Sequence, residues 1–103
     1  MLNVTKKNKN GVITITLDGR LDNNTAIQLE SELNDSLDVV SALVFDCHDL
    51  QYVSSAGLRV FLSLQKKVKE QSEIKITRVS EDVMDIFEVT GFVDILNIER
   101  EGE

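Results

Sequence analysis

The sequence predicts a single α/β domain over residues 1–103, with a mixed sheet of four or five strands and helices packed mainly on one face. Three observations carry this. Short segments with alternating or continuous apolar patterning are interleaved with longer segments at helical spacing. Two strand–helix–strand units follow one another, which implies parallel pairing through right-handed crossovers. A chain of 103 residues has the length of one ordinary domain.

The elements follow in order. Asn10-Gly11 reads as a tight hairpin turn, because both residues tolerate positive φ. It joins a strand near 2–8 to one at 12–18, where Ile13, Ile15 and Leu17 alternate with Thr14 and Thr16. A loop from Asp18 to Asn24 leads to a helix. Thr25 and Gln28 have capping-box spacing, and Ala26, Leu29, Leu33 and Leu37 form one apolar face. The continuous run Ala42-Leu43-Val44-Phe45, followed by Asp46 and Cys47, suits a central strand at 42–47 covered on both faces.

Ser54 to Glu70 reads as a second helix, with Leu58, Phe61, Leu62 and Val68 inward and Lys66, Lys67 and Lys69 solvated. Ile74 to Thr77 alternates as a strand. Ser80 caps a third helix, with Glu81 and Asp82 near its positive dipole end. Val83, Ile86, Phe87 and Thr90 form its inner stripe, and Gly91 is its stop. Phe92, Val93, Ile95, Leu96 and Ile98 form a short last element. The absence of proline leaves every element uninterrupted.

Composition narrows the function. The net charge of −7, from 18 acidic and 11 basic residues, disfavours nucleic acid and suits docking on another protein. The lysine groups at 6, 7 and 9 and at 66, 67 and 69 read as solvated faces. The lone Cys47 cannot form an internal disulfide. No apolar stretch approaches the roughly 18 residues that span a bilayer, and the N-terminus lacks a signal peptide's apolar segment. The expectation is a cytoplasmic protein without membrane insertion.

Enzymatic constellations are poorly supplied. His48 is the single histidine, so a histidine-based metal site or two-histidine mechanism is impossible within one chain. Cys47 and His48 are adjacent on a strand and so face opposite ways. Cys47 reads as buried and inert, His48 as superficial. The glycines fit neither a phosphate loop nor a dinucleotide fold. No catalytic residue, metal or cofactor is assigned. Asp22 and Asp46 fall at expected strand ends, where side chains of an α/β sheet converge. The simpler reading is that Asp22 organises its loop and Asp46 caps a turn.

The sharpest local feature is Val53-Ser54-Ser55-Ala56-Gly57-Leu58, which places two hydroxyls where a loop becomes a helix. One reading is an ordinary capping serine followed by a second serine in the first turn. The other is a phosphate acceptor, because a phosphate there meets free backbone N–H groups and the positive helix end. Gly57 is expected to leave the first turn open to a kinase loop.

These residues also carry a family resemblance. Gly19-Arg20-Leu21-Asp22-Asn23-Asn24-Thr25-Ala26 resembles the G-x-L-D-x-x-T-A stretch of STAS domains and bacterial anti-sigma-factor antagonists. Leu43 to Asp46 with Asp49 to Val53 is similar to that family's central strand and its approach to the switch. Ser54 to Leu58 resembles its D-S-[ST]-G-L phosphorylation motif, and Val83 to Phe92 its ending. The blocks occur in family order along nearly the whole chain.

The resemblance implies a STAS-like fold and places Ser55 at the phosphoacceptor position. Ser54 stands where many members have aspartate, and it is a rival acceptor. Ala56 replaces a second Ser or Thr. Asp22 matches the loop aspartate, expected close to Ser55, and Asp46 the residue ending the central strand. The implied partner-binding surface comprises Asp22, Asn23, Asn24, Ser54, Ser55, Ala56, Gly57 and Leu58. The implied function is non-enzymatic. The unphosphorylated antagonist binds an anti-sigma factor with a histidine-kinase-like ATP-binding fold and frees its sigma factor. Phosphorylation by that partner releases the antagonist, and a serine phosphatase resets it. A monomer is the simplest expectation. One alternative is a STAS interaction subunit of a lipid-transport or signalling complex with no phosphorylation cycle. Another, a small enzyme or nucleotide-binding protein, is opposed by the lone histidine and the missing phosphate loop.

Overall fold

A computed structural model describes residues 2–33, 42–67 and 73–100. Strands β1 (Leu2–Lys9) and β2 (Val12–Leu21) form a hairpin, followed by α1 (Asn23–Leu33) and β3 (Ala42–Val53). Next come α2 (Ser55–Lys67), β4 (Glu73–Val79), α3 (Glu81–Thr90), a 3-10 turn at Phe92–Asp94 and β5 (Asn97–Arg100). Asn10 and Gly11 turn the hairpin at φ of 55° and 85°, as their types predict.

The five-stranded sheet has the order β1-β2-β3-β4-β5. Only β1 pairs antiparallel; the other pairings are parallel. Each helix therefore returns the chain to the neighbouring strand, and β3 is central. The strand alternation shows which face is covered. Ile13, Ile15, Leu17, Leu43, Phe45, Cys47, Ile74 and Ile76 are buried, while Thr14, Thr16, Val44, Asp46, Lys75 and Thr77 between them are half-buried. The helices thus lie on one face, as expected. The expectation that β3 is covered on both faces is corrected: its apolar run contains small or branched residues, Ala42 and Val44, that tolerate an open face. Phe61 of α2 ties the layers together, edge-on to Phe45 at 5.0 Å and tilted on Phe87 at 6.1 Å.

Strand β3 runs well past residue 47. Two register irregularities each place one extra residue on it, between the pairs Thr16–Asp46 and Asp18–Asp49 and between Gly19–Leu50 and Arg20–Tyr52. Each bulge shifts the alternation by one. His48 and Asp49 are consequently both exposed, and Cys47, Leu50 and Val53 all turn inward. Strand β2 likewise extends to Leu21 through what reads as loop in the sequence.

Helix interiors differ in detail from the periodic reading. In α2, Val60 and Leu64 join Leu58 and Phe61 in the core, and Leu62 is only half-buried. In α3, Met84 joins Val83 and Phe87; Thr90 is exposed and bonds back to the Ile86 carbonyl at 2.8 Å. Ser80 caps α3 and Gly91 ends it at φ 79°, both as expected. Leu37, Val68, Lys69 and Glu70 lie outside the described residues.

Candidate functional site

The carboxyl ends of β2 and β3 meet at the register pair Leu21–Val53. The Ser54 N–H then donates to the Leu21 carbonyl at 2.8 Å. This bond sets the starts of α1 and α2 side by side, and each start has its own cap.

Asp22 caps α1. Its Oδ1 accepts from the Asn24 and Thr25 N–H groups, both at 3.0 Å, and the Thr25 hydroxyl accepts from the Asp22 N–H at 2.8 Å. This reciprocal pair is a capping box three residues earlier than the Thr25–Gln28 spacing suggests. Gln28 instead reaches the Leu2 carbonyl at 3.4 Å. The Thr25 N–H, assisted by the Thr25 hydroxyl and the Asn24 N–H, holds the Asp22 carboxyl below its ordinary value. Asp22 shares an end of the sheet with the two serines, but its carboxylate serves its own helix. The contact across the gap comes from the next residue: the Ser54 hydroxyl lies 3.4 Å from Asn23 Oδ1.

Ser54 caps α2. Its Oγ accepts from the Gly57 N–H at 3.2 Å and its carbonyl from the Leu58 N–H at 3.0 Å. Ser55 is the first residue of the helix and is exposed. Its hydroxyl has no hydrogen-bond partner among the described residues. The neighbouring serines are therefore unequal: Ser54 is engaged as donor and acceptor, and Ser55 is free at the positive helix end.

Two residues of the expected partner surface do not reach a surface. Leu58 is a core residue, and Gly57 is buried against β2. A Cβ on Gly57 would stand 2.8 Å from Leu21 Cγ and 3.0 Å from the Leu21 carbonyl oxygen. Gly57 thus permits a close approach of helix to strand and does not keep the turn open for a kinase. Asn23, Asn24 and Ser55 are exposed, and Asp22, Ser54 and Ala56 are half-buried.

Asp46 is also displaced from its expected place. It sits within β3 on the open face, at the last β3–β4 pair, Asp46–Thr77. Arg78 clamps it with two hydrogen bonds of 2.9 and 2.6 Å, and the His48 N–H donates to it at 3.2 Å. Arg78 above all, then the His48 N–H, keeps its carboxyl below the ordinary value. Arg78 holds this geometry at a left-handed φ of 55°. Burial pushes the Cys47 thiol far up, so it stays protonated. Among the described residues, no group of three or more His, Cys, Asp or Glu is placed to hold a metal ion.

Two neighbours were not singled out in the sequence. The Arg20 guanidinium stacks over the Tyr52 ring, 4.4 Å from its centroid. With Asp22, Asn23, Asn24 and Ser54 they line a shallow depression of about 340 Å³. Only the β3 bulge at Gln51 brings Arg20 and Tyr52 into register, so no period-two reading aligns them. A second groove of about 350 Å³ runs between α1 and α2, lined by Ala26, Ile27, Glu30, Ala56, Arg59 and Val60 among others, with Ile27 73% exposed.

The STAS domain family matches residues 3–102. An anti-sigma-B factor antagonist of Bacillus subtilis is 30% identical over 103 residues, which cover 99% of this chain and 94% of the relative. The chain belongs to the STAS domain family, among the anti-sigma factor antagonists. Solved structures share its fold. An anti-sigma factor antagonist from Mycobacterium paratuberculosis superposes with a TM-score of 0.88 at 19% identity, covering 96% of this chain and 86% of the other. Unphosphorylated SpoIIAA superposes at 0.80 with 15% identity, covering 95% and 87%; the Bacillus SpoIIAA in its phosphorylated form does so at 0.71 with 14% identity, covering 95% and 90%. In this STAS domain, the stretch resembling the family's phosphorylation motif is the junction of β3 and α2, where the cap and the free hydroxyl stand on successive residues.

Proposed function

We propose that this protein is a cytoplasmic, phospho-regulated anti-sigma factor antagonist whose acceptor is Ser55. Unphosphorylated, it binds an anti-sigma factor that is also a serine kinase with a histidine-kinase-like ATP-binding fold, and the sigma factor is freed. Phosphorylation of Ser55 ends that complex, and a serine phosphatase restores the competent state. The family role is regulatory; the chemistry belongs to the partners. Asp22, Asn23, Asn24, Ser54, Ser55 and Ala56 form the accessible part of the docking surface, with Gly57 and Leu58 supporting it from below.

The observation that carries this reading is the inequality of the two serines. An exposed hydroxyl without a partner, at the first position of α2, is available to a kinase at no cost to the fold. A phosphate there gains roughly −1.5 to −2 charges and faces unpaired N–H groups. Modification of Ser54 instead removes the O–H that donates to Asn23 and disturbs the oxygen that accepts from the Gly57 N–H. The same charge forced into a docked interface loses its hydration, and a penalty of about 1.4 kcal/mol already lowers affinity tenfold.

The test is phosphosite mapping after incubation with the cognate kinase and ATP, followed by titration calorimetry. Phosphate on Ser55 and loss of binding by the modified form are expected. Phosphate confined to Ser54, or equal affinity of the two forms, overturns the assignment.

A further inference from the structure

The Asn10-Gly11 turn joins β1 to β2 at the tip of the hairpin, with Lys9–Val12 as the closing register pair. Asn10 stands exposed at φ 55°, and Gly11 follows at φ 85°. In a two-residue loop the closing pair uses the backbone groups of Lys9 and Val12 and leaves the loop's own amides over. The Gly11 N–H and the Asn10 carboxamide accordingly have no hydrogen-bond partner among the described residues. A free amide nitrogen thus directly follows a free side-chain carboxamide, and Gly11 has no side chain to crowd their approach. Of the other described asparagines, Asn3, Asn8, Asn23, Asn24 and Asn97, none precedes a glycine.

We infer that Asn10 is a site of spontaneous deamidation through a cyclic imide. The Gly11 nitrogen gives up its proton to solvent base and bonds to Asn10 Cγ. The Cγ–Nδ2 bond breaks, and that nitrogen takes up protons and leaves as ammonia. Water then opens the imide. Attack at Cγ yields aspartate; attack at the main-chain carbonyl carbon yields isoaspartate, in which the chain runs through Cβ. Water enters as ammonia is lost, and nothing is oxidised or reduced. Ring closure requires Asn10 to leave its left-handed conformation, so the reaction runs from an opened tip. Opening is local, because β1 is an edge strand and the tip breaks only the Lys9–Val12 pair. The rest of β1 stays tied to α1, through Lys6 on the Glu32 carbonyl at 2.9 Å and Gln28 on the Leu2 carbonyl at 3.4 Å.

The two products act differently on the hairpin. Aspartate tolerates the left-handed region, so it keeps the turn and adds a negative charge next to Lys9. Isoaspartate lengthens the main chain by a methylene group and removes the backbone geometry on which a turn with two positive φ angles depends. Lys9 and Val12 then no longer pair, and the hairpin loosens from its tip. The tip lies at the far end of β2 from Leu21, so this chemistry is independent of the Ser55 switch.

The test incubates the full chain in mildly alkaline buffer, folded and in urea. Mass spectrometry of the hairpin peptide with electron-transfer fragmentation separates isoaspartate from aspartate. Both acids are expected at residue 10 of the folded chain, with Asn23, Asn24 and Asn97 intact over the same period. A pair of hydrogen bonds closes the tip, so the folded chain should react within about a hundredfold of the unfolded one. Reaction through global unfolding alone is slower by roughly a thousandfold or more. In the purified isoaspartyl form the Val12 amide should exchange faster with solvent while Ile15 and Leu17 stay protected. Asn10→Asp should exchange as the wild type does. The inference is overturned if the folded chain reacts more than about a hundredfold more slowly than the unfolded one. Aspartate formed without isoaspartate, equal loss at Asn23 or Asn24, or an isoaspartyl form whose Val12 amide stays as protected as in the wild type overturns it too.

Discussion

Gly57→Ala measures how closely α2 must seat on β2. The added Cβ would lie 2.8 Å from Leu21 Cγ, 3.0 Å from Leu21 Cδ2 and 3.0 Å from the Leu21 carbonyl oxygen. Carbon atoms pack comfortably at about 3.5–4.0 Å, so the helix start must lift by roughly 0.5–1 Å. The Leu21 side chain is fully buried and has nowhere to swing. The crowded oxygen is also the acceptor of the Ser54 N–H. Overpacking of this kind costs about 1–3 kcal/mol. Alanine's higher helix propensity returns at most about 1 kcal/mol, and less in a first turn. The expected net loss is about 1–2 kcal/mol, with Tm falling by about 4–8 °C for each kcal/mol. Urea unfolding measures it, with an unchanged m showing that only stability has moved. The Ser54 amide should also exchange faster. A variant as stable as the wild type would refute the argument, because it would mean that helix and strand are not in close contact here.

Further outcomes follow from the same geometry. Ser54→Ala removes the α2 cap and should cost about 1 kcal/mol, whereas Ser55→Ala should stay within about 0.5 kcal/mol of wild type; paired urea titrations separate them. Phe61→Ala removes the ring between Phe45 and Phe87 and should cost about 3–5 kcal/mol by the same measurement. Asp46 has a lowered folded pKa, so its contribution is complete above the ordinary value of about 3.9 and is lost as pH falls through the folded value. Arg78→Gln should therefore flatten this part of the acid limb of stability against pH, and an unchanged limb would remove the ion pair from the account.

Much of the fold is legible because it rests on local chemistry. Asn10-Gly11 needs no tertiary information to turn a hairpin, and Ser80 and Gly91 mark their helix ends by side-chain and backbone preference alone. What is not legible depends on pairing. The bulges of β3 break the period of two at residues 48–49 and 51–52, so the strand reads as ending at Cys47, and Asp46 reads as terminal when it is internal. Thr25 and Gln28 have the spacing of a capping box, yet Asp22 and Thr25 form it, because β2 continues to Leu21 and delivers the chain to the helix there. The site divides the same way. The motif at 54–58 locates the junction, but the sequence cannot distinguish a glycine that opens a turn from one pressed against Leu21. That distinction belongs to the neighbouring strand.

The placement of two serines at one helix start separates two duties that a single residue would perform badly. A capping side chain must accept the N–H groups of the first turn, and modifying it puts that helix end at risk. A phosphoacceptor must be reachable and must change its charge. Ser54 is held by the Gly57 N–H and by Asn23, so the start of α2 stays fastened to that of α1 whatever happens one residue later. Ser55 projects outward from the same turn, where the remaining free N–H groups and the helix dipole favour an added negative charge by about 0.3–1 kcal/mol. The neutral cap matters here. An aspartate at residue 54, common at this position in the family the sequence resembles, would already place a charge at the helix end and repel the phosphate beside it. Under the proposed switch, a serine at residue 54 leaves the full change in charge to modification of Ser55, on the exposed side of the turn.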